Sequence, residues 1–226
     1  MRRLMRDISS VLLISGTLLL LDAGLTLLWG EPLTAVIGLI RSSEVDNRYL
    51  SYQSPLLSPL VRHTLIPLRV KQRIAYLARL ERRVPAGAAV GTINIPRIGA
   101  KYSVIEGTDA ASLEKGPGHD PRTAFPGLGQ SVLVAGHRTT YLKPFHDIND
   151  LKAGDRIVLN MPYARFTYVV QYQKIVLPTA VSVFDNRGYE RLVLSACNPL
   201  YSAAQRIIIF ARLQQMQPEG PALSVA

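Results

Sequence analysis

The stretch Arg191-Leu192-Val193-Leu194-Ser195-Ala196-Cys197-Asn198-Pro199, followed by Gln205-Arg206-Ile207-Ile208-Ile209-Phe210, decides how the chain folds. Both runs are short, apolar and rich in branched residues, the texture of strands rather than helices. Asn198-Pro199 stops the first run, because proline cannot donate to a sheet ladder. The chain makes an excursion over 198–205 and then returns. Antiparallel pairing of the two runs would set Cys197 and Arg206 facing each other across the mouth of that loop.

Upstream, the same texture begins at residue 88, broken by Gly, Pro, Asn and Asp. Further candidate strands are Ala89–Ile95, Lys101–Ile105, Ser131–Ala135, Arg156–Asn160 and Phe166–Val176, joining Arg191–Ala196 and Arg206–Leu213. Thr108/Asp109 and Pro144 are good helix starters, predicting short helices over 108–115 and from Pro144 to about Asp150. About seven short strands with few helices predict a mostly-β unit, an antiparallel barrel or sandwich. Its expected span is 88–214, with 215–226 as a flexible tail.

The 226 residues carry 26 Lys+Arg against 16 Asp+Glu, a net charge of +10. Residues 1–84 hold 12 basic and 6 acidic side chains (+6), and residues 85–226 hold 14 and 10 (+4). The excess therefore crowds into the shorter N-terminal part, where a membrane explains it better than nucleic acid, for which no basic-aromatic repeat exists. Arg2, Arg3 and Arg6 precede an apolar run from Val11 to Trp29, long enough to cross a bilayer as a helix. Residues 1–30 read as a cytoplasmic tip and uncleaved single-pass anchor, which sends the rest of the chain outside the cell. Asp22 within the span is a polar residue that the flanking leucines can carry.

Residues 31–87 read as a membrane-proximal segment. Pro32 opens the short apolar stretch Leu33–Ile40, suited to the membrane interface, and Pro55, Pro59 and Pro67 break a linker over 41–67. Over 68–84 the spacing predicts a helix, with Val70, Ile74 and Leu77 as a stripe ringed by Arg69, Lys71, Arg73, Arg79, Arg82 and Arg83. Two readings stay open for it: a grip on anionic lipid or polymer, or packing on the folded domain with a solvated basic face.

Cys197 is the only cysteine, so no intramolecular disulfide can form. A cysteine nucleophile needs an acid-base partner. Of the four histidines, His137 ends the apolar run Ser131–Gly136 at a strand terminus. His63 falls in the linker, His119 in a Gly/Pro turn and His146 on a predicted surface helix. No His/Cys spacing fits zinc, so no metal site is expected. Ser112-Leu113-Glu114-Lys115 matches the S-x-x-K pattern of serine acyl enzymes but lacks its companion motifs. Arg206 beside Cys197 could hold the oxyanion formed when a thiolate attacks a carbonyl.

Together these segments resemble the sortases, membrane-anchored cysteine transpeptidases of Gram-positive bacteria. The resemblance covers 88–213 and rests on Gly91-Thr92-Ile93-Asn94-Ile95-Pro96-Arg97-Ile98, on Glu106-Gly107-Thr108 with Leu113 to His119, on Val134-Ala135-Gly136-His137-Arg138, and on Leu194 to Pro199 followed by Arg206. Gly136-His137-Arg138-Thr139-Thr140-Tyr141 with Pro144-Phe145, and the junction Trp29-Gly30-Glu31-Pro32-Leu33, look most like class E. That class is associated with a Leu-Ala-x-Thr-Gly sorting signal. The family usually reads Thr-Leu-x-Thr-Cys before its nucleophile, whereas Val193-Leu194-Ser195-Ala196-Cys197 lacks the adjacent hydroxyl.

The resemblance implies an eight-stranded sortase-type barrel with short helices, one strand more than the pattern yields. It implies catalysis by Cys197, His137 and Arg206, with Thr139, Tyr141 and Ala196 on the substrate side and no cofactor. The implied partners are secreted proteins with C-terminal sorting signals, an amine acceptor on a cell-wall precursor or a pilin, and membrane lipid. A non-catalytic sortase-like scaffold and a pilin-polymerising sortase are the alternatives.

Overall fold

The computed structural model describes residues 2–29, 34, 36–40 and 58–223. Eight strands form it: β1 Ala89–Ile95, β2 Ala100–Glu106, β3 Gly118–His119, β4 Ser131–Ala135, β5 Arg156–Met161, β6 Ala164–Val176, β7 Arg191–Asn198 and β8 Gln205–Pro218. They close into a barrel in the order β1-β2-β3-β4-β7-β8-β6-β5. The seven strands expected from the pattern are all present, most of them one or more residues longer. Two pairings, β2 with β3 and β4 with β7, are parallel, so the barrel is mixed and not antiparallel throughout.

The additional strand, β3, is two residues long and lies where the sequence suggested a Gly/Pro turn. A side chain at Gly118 would collide with the Gly107 carbonyl oxygen, so the close approach of β3 to the β2 end requires glycine. Its neighbour His119 is buried. The ring places Nδ1 2.8 Å from Glu106 Oε2 and Nε2 3.1 Å from the Ala124 carbonyl oxygen.

Side chains alternate along β7. Leu192, Leu194 and Ala196 enter the barrel core with Ile93, Phe166, Tyr168, Ile207 and Ile209. Val193 faces outward, yet it too is buried, in a second cluster with Leu133, Ile208 and Phe210. Val183 and Phe184, from the segment joining β6 to β7, cover that cluster. Both faces of β4, of most of β7 and of Ile207–Ala211 in β8 are thus dry. This is why their sequences are continuous apolar runs instead of alternating ones. Arg191 fastens the cover: its guanidinium donates to Ser131 Oγ, Val183 O and Asp185 O at 2.9–3.0 Å.

Three expectations need correction. The segment from Pro144 to Asp150 is a series of turns ending in the 3-10 turn Ile148–Asp150, because Phe145 is fully buried and its N–H is drawn to His137 O at 3.0 Å. Residues 215–218 are not tail but the end of β8, and Pro221 and Ala222 beyond them are buried. Part of the expected linker is helical. Helix α2, Pro59–Leu65, follows the long helix α1, Arg2–Trp29, and starts at Ser58, whose Oγ accepts from Val61 N. Pro32, Leu33, residues 41–57 and the last three residues of the tail lie outside the described residues.

Within α1, Asp7–Gly24 is long and apolar enough to cross a membrane. Helix α3, Val70–Glu81, packs on the barrel through Ile74, Leu77 and Ala78, leaving Arg69, Lys71, Arg79, Arg82 and Arg83 exposed. Its last residue, Glu81, is also buried, and neither carboxylate oxygen has a hydrogen-bond partner. Burial, reinforced by repulsion from Glu106, pushes the Glu81 carboxyl up to about 7.

The folded chain therefore holds a proton on Glu81 that the unfolded chain releases above its ordinary value of 4.5, so stability falls as pH rises from there to about 7. Removing the charge by Glu81→Gln should make the protein about 3 kcal/mol more stable than wild type at pH 8, but nearly equal to it near pH 4.5. Denaturant unfolding of the two proteins across that range measures the difference, and parallel curves would refute the assignment.

Candidate active site

The parallel pairing of β4 with β7 sets Ala135 opposite Ser195. Two residues beyond each lie His137 and Cys197, brought to the same end of the barrel although far apart in sequence. The antiparallel pairing of β7 with β8 sets Cys197 opposite Arg206, as the sequence led one to expect. The half-buried Cys197 is a free thiol and lines a cleft of about 360 Å³ with His137, Thr139, Tyr201 and Ser202. On β8, Arg206 Nη1 donates to Ala203 O and Gln205 O at 2.9 Å, which uses one nitrogen of its fork and fixes the head at the loop mouth.

On the outer face, the residues fall into rows two positions apart. Cys197 and Arg206 make the first, Ala135, Ser195 and Ile208 the second, and Leu133, Val193 and Phe210 the third. A second cavity of about 290 Å³ runs over Ala135, Ser195 and Leu133, roofed by Leu177, Val181 and Phe184, and reaches Arg206. The cleft at Cys197 and the cavity that reaches Arg206 thus flank the paired residues Cys197 and Arg206.

Arg138, which the sequence reading quoted only as part of a motif, organises this junction. Its guanidinium is buried and donates to Cys197 O (3.3 Å), Asn198 Oδ1 (3.1 Å), His146 O (3.2 Å) and Asn149 Oδ1 (2.6 Å). Burial pushes its basicity below the usual guanidinium value, while Asp147, Cys197 and Asp150 oppose that drop. His146, expected on a surface helix, points Nδ1 at Arg138 O at 2.7 Å. The signal for Arg138 was a charged residue directly after a strand-end histidine, in a segment whose backbone had to be tied down.

Tyr141 packs its ring on His137, with centroids 5.2 Å apart, and its hydroxyl donates to Glu114 Oε1 at 2.9 Å. Its φ of 54° lies in the left-handed region, a local cost that these two contacts offset. Gly136 is needed for the same loop, since a Cβ there would lie 2.6 Å from the Phe145 ring. Thr139 lines the thiol cleft as expected. Ala196 does not reach the substrate side: its side chain is only 3% exposed and faces the barrel core, opposite to Cys197. Strand alternation dictates this, and the missing hydroxyl leaves the cleft unchanged.

Comparison with known proteins matches the Sortase domain family model to residues 93–214. The chain belongs to the sortase family. This sortase is 35% identical over 130 residues to Sortase D of Bacillus subtilis, a match covering 56% of the chain and 64% of that protein. The chain thus spans less than two thirds of the curated relatives it matches. Among solved structures, sortase E from Streptomyces avermitilis aligns with a TM-score of 0.54 at 36% identity, covering 62% of this chain and 100% of that one. Sortase E1 from Streptomyces coelicolor, solved with a tripeptide in its active site, aligns at 0.56 and 26% identity, covering 61% and 98%.

Because Arg138 joins the histidine loop to the nucleophile strand, Arg138→Ala should destabilise the sortase by about 2–4 kcal/mol, removing a buried guanidinium and leaving its partly buried acceptors unpaired. It should also slow alkylation of Cys197 by iodoacetamide. Arg138→Lys should restore neither property, since one ammonium cannot span four acceptors on two segments. Denaturant unfolding and alkylation kinetics measure both, and an unperturbed Lys variant would contradict the bridging role.

Proposed function

We propose that the chain is a membrane-anchored cysteine transpeptidase that cleaves the Thr-Gly bond of a sorting signal and passes the acyl group to an amine. The observation that carries this reading is the register that pairs Cys197 with Arg206 and brings His137, two residues beyond β4, to the same end of the barrel. The Cys197 thiolate adds to the threonine carbonyl carbon, and the charge on the oxygen is met by the Arg206 fork. As the carbon–nitrogen bond breaks, His137 gives its proton to the departing glycine amine, leaving a thioester. An acceptor amine then adds to the thioester carbonyl, His137 takes its proton, and the sulfur leaves as thiolate.

The rows on the outer face suggest how the signal lies. An extended peptide advances roughly 3.3 Å per residue, so with threonine at Cys197 the leading leucine sits roughly 10 Å upstream. That places it between the second and third rows, under Val181 and Phe184, where an apolar side chain is wanted. Thr139 and Tyr141 belong to the histidine loop on the opposite side, where the leaving group meets it. The resemblance of Gly136–Tyr141 to class E, with 36% identity to a sortase E structure, supports the Leu-Ala-x-Thr-Gly signal.

Helix α1 supports a single-pass anchor, and Arg2, Arg3 and Arg6 before it support a cytoplasmic N-terminus with the barrel outside. The clients are then secreted proteins, and the acceptor is an amine of the cell wall or of a pilin.

Full-length protein in detergent, given Leu-Ala-x-Thr-Gly or Leu-Pro-x-Thr-Gly peptides and an amine, should form a threonine-linked product detectable by mass spectrometry, with the alanine signal preferred. Cys197→Ala should abolish product, and Arg206→Ala should lower kcat/KM by about 100- to 1,000-fold, the usual cost of an oxyanion donor. Product that survives Cys197→Ala would overturn the mechanism, and a preference for the proline peptide would remove only the class E signal.

A further inference from the structure

Resting on the reading of α1 as a membrane anchor, we infer that α2 and α3 form a second, peripheral membrane contact that binds anionic lipid headgroups. Residues 59–84 contain seven basic side chains and one acidic one, Glu81. The acid is turned into the protein, while Arg69, Lys71, Arg79, Arg82 and Arg83 are exposed. None of these five takes part in an ion pair among the described residues. The outward face is therefore wholly cationic, with no internal acid to neutralise it.

Large apolar side chains accompany that charge. Leu60 is 78% exposed, Ile66 60% and Val70 44%, on the helices and the turn between them. Solvated basic faces do not need three uncovered aliphatic residues beside them, whereas an interfacial segment uses both kinds. Each basic side chain near an anionic surface raises partitioning roughly five-fold, and the aliphatic groups enter the headgroup boundary. The anchor holds a bilayer within reach of this face, which favours lipid over a soluble polyanion as its occupant.

The barrel geometry gives the contact a consequence. Near its start α3 packs by Ile74 against Gly127 and Phe166, and Phe166 pairs with Met216 on β8. Arg206 lies at the opposite end of the same strand, about ten residues or roughly 33 Å away. The Cys197 cleft, opposite Arg206, thus lies at the far end of β8 from the α3 contact, and a probe there reports on a separate region.

The test uses the full chain with Cys197→Ala, in nanodiscs of phosphatidylcholine alone or mixed with phosphatidylglycerol. An environment-sensitive fluorophore is placed at Ile66→Cys or, as a reference on the catalytic side, at Tyr201→Cys. The Ile66 probe should brighten about two-fold or more in the anionic discs and be quenched by spin-labelled lipid, with the Tyr201 probe silent. Arg79→Gln/Arg82→Gln/Arg83→Gln should remove most of that response. A silent Ile66 probe in discs that carry the chain overturns the contact while leaving the anchor intact. A chain that elutes apart from the discs overturns anchor and contact together. Equal responses in both lipids, equal quenching of both probes, or a response only to added polyphosphate each overturn it as well.

Discussion

The parallel pairing of β4 with β7 is the constraint from which the site follows. Its five register pairs run from Ser131 with Arg191 to Ala135 with Ser195. Parallel strands point their C-terminal ends the same way, so histidine and cysteine emerge together without any local sequence relation. An antiparallel pairing of the same two segments would put those ends at opposite edges of the sheet. A parallel pair also needs a long crossover, and its last portion folds over the outer face and roofs the cavity that reaches Arg206.

That roof is held by polar bonds at its rim and apolar packing beneath. Arg191 and Ser131 bind the carbonyl oxygens of Val183 and Asp185, while Val183 and Phe184 rest on the outer cluster. A closed barrel of eight strands has its interior filled by side chains, so chemistry on this fold has to take place outside. The outward residues of β7 alternate with core residues, and Cys197 falls on the reactive side because Leu194 and Ala196 fall on the other. Position parity, more than identity, separates a functional residue here from its neighbour.

The same parity explains what could and could not be read from the sequence. Strong apolar runs marked seven strands, and Cys197, His137 and Arg206 stood at strand ends where a site can form. The two-residue strand at Gly118-His119 carries too little pattern to register. Pro144 looked like a helix start because the pull of Phe145 into the core and of its N–H toward His137 is a tertiary effect. Ala196 adjoins the nucleophile in sequence, but one step along a strand turns its side chain to the core. The role of Arg138 is not legible in sequence, because its partners, Cys197 O, Asn198 and Asn149, converge only after folding.

Glu81 and the basic face of α3 belong to one arrangement. A carboxylate on the outside of this helix would neutralise neighbouring arginines and lower the potential at the surface. Turned inward, it meets apolar surroundings and Glu106, and its proton keeps the helix docked without a buried charge. The helix thus presents a cationic exterior while avoiding an interior anion below about pH 7. Charge segregation of this kind costs stability as pH rises, and a helix needed only to cap a barrel could carry leucine at that position.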